Sequence, residues 1–231
     1  LTGNITGRFG EDSKYELLQA STRFRISESR DTPRWNAVLG FDHLVWGRNT
    51  IFSSATLRAS YLAKDFGLCR VYPRLAVQYQ RYHAQKLLSG YEYSIGVGNE
   101  CEFGLGNSLN RVGFEFSAIS NIAKDDGRLG SDRGGWQANV SWQRTIGSGQ
   151  ALAQYQHTKL SDDEGYSPLF KNGAKRKESL HSAYLSYALP LKIVSESAQF
   201  VGTVSYHNQT SSITLFRTRG ASAEIGVVWG F

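Results

Sequence analysis

The chain of 231 residues has no methionine, only 4 prolines and 2 cysteines, and no apolar run near the roughly 18 residues that a membrane-spanning helix needs. Its mean hydropathy is −0.37. If the protein spans a membrane, we therefore expect a closed β-barrel, the other structure that satisfies every backbone polar group in lipid. Leu1 is not followed by a charged-then-apolar leader, so we expect a signal peptide to be absent or already removed.

The net charge is +6 and the isoelectric point is near 9.3. A basic protein invites a nucleic-acid partner, but here the cations are scattered through strand-like segments and form no stripe or basic helix. We expect no nucleic-acid partner. The sequence also lacks a serine elbow and a His/Glu metal spacing, so we expect no metal, no cofactor and no catalytic residues of those types.

The C-terminal stretch Gly220–Phe231 alternates with a period of two. Ala223, Ile225, Val227, Trp229 and Phe231 share one face, whereas small or charged residues form the other. A closing strand with a terminal Phe resembles the assembly signal of bacterial outer-membrane barrels, which implies the barrel assembly machinery as a partner. The alternative is an ordinary C-terminal edge strand of a soluble domain.

Similar alternation recurs along the whole chain, most cleanly where Trp136, Ala138, Val140 and Trp142 oppose polar neighbours. No helical period competes with it. The sequence predicts one all-β domain over residues 1–231: a closed antiparallel up-and-down transmembrane β-barrel of about 12 strands, with about 10 or about 14 left open.

The connections between these segments alternate in length. Short ones are expected around 29–33, 64–67, 104–110, 147–150 and 190–195, and long ones at 123–135, 159–177 and 207–219. Outer-membrane barrels have short periplasmic turns and longer extracellular loops. This order predicts a bacterial outer-membrane location with both termini in the periplasm.

Aromatic residues mark the predicted strand ends. Trp35, Trp142 and Trp229 fall near one set of ends, with Phe231, and Trp46 and Trp136 near the other. Two belts of interfacial aromatics would give this pattern.

Cys69 and Cys101 are equidistant from the centre of a loop near Gln85. In an antiparallel hairpin, residues so placed lie opposite each other on one face. A cross-strand disulfide is expected in an oxidising periplasm, with two free thiols as the alternative.

If the apolar face meets lipid, the polar face lines the interior. Its basic residues come from early strands and its acidic residues mainly from later ones: Arg8, Arg23, Arg25, Arg58, Arg70 and Arg74 against Glu92, Glu102, Glu115 and Glu224. Facing basic and acidic walls would create a transverse field that selects polar solutes. The alternative is that the charges pair and fill a narrow lumen.

A hydrolase at the outer rim is the less favoured class. It would use loop carboxylates and nearby histidines: Asp125, Asp126, Asp162, Asp163, His157 and His207. Asp-Asp in a Gly-rich loop is ordinarily a solvated turn, and His157 has lipid-face parity. His43 shares that parity unless its strand bulges near Leu44–Trp46.

The last third adds a resemblance. Gly165–Phe170, Asn172–Arg176 and Ser211–Phe216 resemble elements of the C-terminal barrels attached to tetratricopeptide-repeat segments, which include exopolysaccharide export porins and surface lipoprotein assembly modifiers. It covers about the last 75 residues and implies export to the surface. This chain lacks the helical repeats, so a periplasmic partner or secretion complex would have to supply that module.

The basic run Lys171–Lys177 would bind anionic lipopolysaccharide phosphates or simply be a solvated loop. The favoured function is an outer-membrane transport barrel, either a porin-like channel or the export pore of a secretion system. A structural anchor barrel with a filled lumen, bound to a cell-envelope complex, is the alternative.

Overall fold

The computed structural model of the chain describes residues 2–8, 17–28, 34–47, 49–106, 108–191 and 198–229. These residues are organised almost entirely as β-strands. The strands are β1 Thr2–Arg8, β2 Leu17–Ser27, β3 Trp35–Trp46, β4 Asn49–Tyr61, β5 Lys64–Asp65, β6 Cys69–Tyr82, β7 Gly90–Leu105, β8 Ser108–Ala123, β9 Arg133–Ile146, β10 Gly149–Asp162, β11 Lys177–Pro190, β12 Ala198–Ser211 and β13 Thr218–Trp229.

All strands belong to one antiparallel sheet in the order β1-β2-β3-β4-β6-β7-β8-β9-β10-β11-β12-β13. The two-residue β5 pairs only with β6. Each long strand therefore lies beside its neighbour in sequence, which is an up-and-down topology. The prediction of twelve antiparallel strands is confirmed.

The register keeps each class of side chain on one face. Leu39 pairs with Leu57, Leu57 with Val77, and Val77 with Tyr93, so one apolar row crosses four strands. A slip of one residue in any pair would move that strand's apolar set to the other face. The alternation in the sequence therefore decides which face of the sheet each side chain occupies.

One strand pair departs from regular pairing. Leu44 pairs with Phe52 and Val45 with Thr50, which leaves Ile51 as an extra residue in β4. This bulge comes after His43 along β3. His43 thus keeps the parity of the apolar face, where its Nδ1 lies 3.0 Å from Ser53 Oγ.

The connections define two ends of the sheet. The loop end carries 47–48, 83–89, 124–132, 163–176 and 212–217, and the turn end carries 28–34, 62–68, 106–107, 147–148 and 191–197. The two longest connections, 124–132 and 163–176, lie at the loop end as predicted. The expected sorting by length is otherwise weaker, because β12 continues to Ser211 and shortens the last loop, and because β4 begins at Asn49, three residues after β3 ends at Trp46.

Strand β8 continues to Ala123, with Asn121 paired to Arg133 of β9. Polar residues such as Ser120 and Asn121 hide this continuation from the apolar pattern, but the backbone pairing still continues to the end of the hairpin.

The two edges of the sheet are β1 and β13. Within the described residues they are not paired with each other, so the sheet is open in this structure and the predicted closure is not present.

The distribution of polarity is inverted relative to a water-soluble domain. In the described residues the buried apolar side chains are Ala151, Ala198 and Ile213 alone, whereas the buried polar ones include Ser54, Asn121 and Asp162. Large apolar residues on the outward face are exposed, among them Ile95 at 63% and Leu75 at 58%. Burial normally runs the other way.

The helical segments that the structure describes are three-residue turns, and none is long and apolar enough to cross a membrane.

Candidate functional site

The inward faces of strands β2 to β10 surround one cavity of about 580 Å³. Because residues from both ends of this strand series line a single space, the sheet curls round its polar face. The face that the sequence assigned to an interior thus lines the concave side of the curled sheet.

Two arginines line the cavity without an ion pair in the described part of the chain. Arg25 of β2 and Arg58 of β4 both pair with Val38 of β3, from opposite sides, so they lie at one level of the sheet with one strand between them. The side of the cavity formed by β9 and β10 carries amides: Gln137, Asn139, Gln154 and Gln156. The alternation placed these amides on the polar face, but nothing in their pattern singled them out as a site.

Arg74 reaches a carboxylate on the second strand along. Its guanidinium bonds to Glu115 of β8, and both residues line the cavity. The intervening position on β7 is Gly98, where an added Cβ would lie 3.3 Å from Arg74 Nε. The missing side chain is what lets the arginine cross β7.

Other predicted interior charges also pair within the wall. Arg23 donates to Asp42 at 2.7 Å, and Asp42 accepts from Ser21 and Ser54 as well. Arg70 lies 3.8 Å from Asp65 and 4.0 Å from Glu102.

The remaining predicted wall residues are placed as follows. Glu92 lines the cavity, and Glu224 pairs through its backbone with Thr203. Glu102 also binds Arg111. The side chain of Arg8 lies outside the described residues. The transverse field between basic and acidic walls stays a prediction.

A dense ionic cluster lies on the inward side at the loop end. Arg176 donates to both carboxylate oxygens of Asp162, with Nη2–Oδ1 at 3.0 Å and Nε–Oδ2 at 3.2 Å. Asp162 is 2% exposed and Arg176 is 7% exposed. Arg133 lies 3.2 Å from Glu178, which also accepts from Gln209.

The connection 124–132 adds Arg128 to this cluster. Its Nη1 donates to Asn121 Oδ1 at 2.6 Å. Burial lowers the pKa of the Arg128 guanidinium, and the neighbouring cations Arg133 and Arg176 lower it further, while Asp162 and Asp132 act in the opposite direction. Cations and carboxylates thus lie together in the interior beneath the long connections.

Arg176 also joins the segments that carry the resemblance. Its guanidinium carbon lies 4.8 Å from the ring centre of Tyr166 and 4.6 Å from that of Phe216. The two rings meet edge to face at 5.0 Å. The basic run 171–177 is therefore not uniformly solvated: Lys175 and Lys177 are exposed, but Arg176 is buried between two loops, and the Lys171 side chain lies outside the described residues.

The structure disperses the carboxylates proposed for a hydrolase. Asp162 is held by Arg176, and Asp125 accepts a bond from the backbone of Gly127 in a turn. Asp126 and Asp163 lie in separate connections, and the His207 ring packs beside Gly220. None of these carboxylates contacts a histidine in the described part of the chain.

His157 belongs to a group on the outward face that the sequence did not reveal. Ser179 Oγ lies 2.8 Å from His157 Nε2 and 3.4 Å from His181 Nε2, and the two rings stack at 4.2 Å. Tyr155 OH lies 2.6 Å from His181 Nδ1. The sequence did not reveal this group, because the pairing of His157 with His181 depends on the register between β10 and β11.

The tryptophans whose side chains are described lie towards the strand ends predicted for them, and the two cysteines lie opposite each other. Trp35 begins β3 and Trp142 lies towards the turn end of β9, whereas Trp46 and Trp136 lie towards the loop end. The side chain of Trp229 and the whole of Phe231 lie outside the described residues. Cys69 pairs directly with Cys101, their Cα atoms are 4.0 Å apart, and their sulfurs are bonded.

Within the described ranges, no group of three His, Cys, Asp or Glu side chains is placed to hold a metal ion. No protein-family model matches the chain, and no curated protein matches it at a significant level.

Proposed function

We propose that the sheet closes into a barrel in the bacterial outer membrane and that its interior passes polar solutes or an exported polymer. The observation that carries the proposal is the polar cavity enclosed by strands whose opposite face is apolar and exposed. An exposed apolar band is favourable against hydrocarbon and unfavourable against water.

Closure follows from the same environment. An unpaired strand edge in hydrocarbon leaves backbone groups without partners, and each costs several kcal/mol. The strand order already brings the chain through an up-and-down series, so pairing β1 with β13 needs no change of topology. The termini then lie at the turn end, which we assign to the periplasm.

The export version of the function draws on the resemblance of the last third to tetratricopeptide-linked barrels. The residues that carry it, Tyr166, Arg176 and Phe216, form one contact between two loops. In this version the ionic cluster of Asp162 and Arg133 closes the outer mouth until a partner or cargo displaces it.

A structural anchor with a filled lumen is the second candidate function. The specific observation in its favour is the same cluster, since Arg128, Asp162 and Arg176 are buried in the interior at the loop end. The barrel would then act as a subunit of a cell-envelope complex.

Single-channel conductance in planar bilayers separates the two. The purified protein is compared with the double variant Arg25→Glu/Arg58→Glu and with the control Arg81→Glu/Lys86→Glu, which reverses two charges outside the cavity. We expect stable conductance with anion preference, reversal of that preference in the cavity variant, and no change in the control. The selectivity follows because Arg25 and Arg58 line the cavity and have no ion pair with any residue that the structure describes.

A silent bilayer, with insertion confirmed by heat-modifiable gel mobility, would contradict the channel and favour the anchor. Conductance with unchanged selectivity in the cavity variant would show that the ion path does not pass Arg25 and Arg58.

A further inference from the structure

A groove of about 790 Å³ lies on the outward face of β9 to β12 at the loop end. Lys159, Lys177 and Arg217 line it, together with Trp136 and the hydroxyl-bearing Ser179 and Thr210. We propose that this groove binds the phosphate of a phosphorylated lipid in the outer leaflet. The inference rests on the proposed function, because it requires the outward face to meet a membrane.

The positive charges of the groove are not paired with carboxylates within the described residues, in contrast to those of the interior ion pairs. Interior arginines such as Arg23, Arg74 and Arg176 have carboxylate partners. In the described part of the chain, Lys159, Lys177 and Arg217 have none. Glu178 borders the groove, but its carboxylate binds Arg133 and Gln209 on the inward side.

Gly134 and Trp136 shape the groove. Gly134 occupies an outward position on β9, opposite Ser161 of β10, and an added Cβ there would meet only the Ile119 carbonyl oxygen, at 4.0 Å. The glycine leaves open space beside Ser161, on the β9 side of the groove. Lys159 Nζ lies 5.7 Å from the ring centre of Trp136, which holds that cation at the edge of the apolar surface.

A second groove of about 460 Å³ follows on the same face of the same four strands. It is lined by apolar side chains such as Val140, Leu185 and Val204. Along β10 it reaches Tyr155, four residues from Lys159, or about 13 Å at the rise of a strand. A cationic groove above an apolar one fits an amphiphile with its anionic group at the rim and its acyl chains along the strands.

Three cations favour a phosphomonoester, with a charge of about −1.5 to −2, over a singly charged phosphodiester. Charge-assisted bonds from lysine and arginine to phosphate oxygens are among the stronger hydrogen bonds in proteins. The occupant we assign is therefore the phosphorylated lipid anchor of lipopolysaccharide, bound through its phosphate.

Native mass spectrometry of the full chain, refolded into detergent micelles, tests the groove. The probe is diphosphoryl lipid A, and the comparison is the same lipid after dephosphorylation. We expect the triple variant Lys159→Gln/Lys177→Gln/Arg217→Gln to retain at most about one tenth of the lipid A that the wild type retains. The control Arg81→Gln/Lys86→Gln/Lys124→Gln removes two lysines and an arginine that are exposed at the same end, and should retain it fully.

A steric variant keeps every charge. Gly134→Leu fills the open space and should also reduce retention, while excess inorganic phosphate should compete poorly because it lacks the acyl chains. Equal retention of lipid A by the wild type, the triple variant and Gly134→Leu would overturn the groove, as would equal binding of the dephosphorylated lipid.

Insertion into vesicles, followed by heat-modifiable mobility, is measured on the same samples. If the wild type inserts but its retention of lipid A does not depend on the groove residues, the groove proposal is overturned and the proposed function stands. Failure of the wild type to insert would overturn both.

Discussion

Replacing Arg176 by glutamine should release the connection 163–176 from the rest of the protein. The side chain is buried, binds both oxygens of Asp162, and lies between the rings of Tyr166 and Phe216. The glutamine removes the charge and leaves Asp162 buried without its cation.

The expected cost can be worked from these contacts. Breaking a buried ion pair by removing one partner costs about 3–5 kcal/mol. Each cation–π contact contributes a further ~0.5–2 kcal/mol, part of which is already counted in the burial of the pair. We therefore expect the free energy of local opening of the loop to fall by about 3–5 kcal/mol, a factor of at least a hundred in the open population.

Limited trypsin digestion measures this population, because cleavage of a transiently open segment follows its equilibrium opening. Exposed Lys175 and Lys177 provide sites in both proteins. We expect cleavage there to accelerate at least about a hundredfold in Arg176→Gln, consistent with that free-energy change.

The matched control is Arg111→Gln, whose side chain is 43% exposed and pairs with Glu102 near the turn end. Such a pair contributes about 1 kcal/mol or less, so loop cleavage should not change. Equal cleavage rates in Arg176→Gln and the wild type would refute the idea that Arg176 fixes the loop.

Two further outcomes follow from the structure. Cys69→Ser/Cys101→Ser should lower the free energy of unfolding in denaturant by about 3–4 kcal/mol, because the bond closes a segment with a sequence separation of 32; a variant as stable as the wild type would contradict this. Glu115→Gln should leave Arg74 unpaired in the cavity, so the reversal potential should shift in the direction of greater anion selectivity. The free energy of unfolding should fall by about 1 kcal/mol or less, because Arg74 is 43% exposed. An unchanged reversal potential would place that pair outside the ion path.

The strand interiors and their number were predictable because the period-two pattern is local and strong. The pairing of Cys69 with Cys101 was also predictable, because the register of a hairpin follows from symmetry about its loop. The strand ends were less predictable: β8 and β12 continue through polar residues, and nothing in the sequence marks Ile51 as the bulged residue.

Most contacts between charged residues could not be predicted from the sequence. Arg74 reaches Glu115 only because Gly98 leaves room on the strand between them. Arg176 stands in a local run of cations, which favours a solvated loop, but its partners Asp162 and Phe216 come from elsewhere in the chain. Such contacts depend on the pairing of several strands and on loop conformation, which alternation does not encode.

In the membrane, the apolar face of the sheet should meet lipid and the polar face should meet water. Spin labels placed one at a time at Leu75, Ala76, Val77 and Gln78 of β6, in protein inserted into lipid vesicles, test it most directly. Collisions with oxygen should be frequent at 75 and 77, and collisions with a water-soluble nickel chelate frequent at 76 and 78. Equal access of the nickel chelate to all four positions would contradict the account.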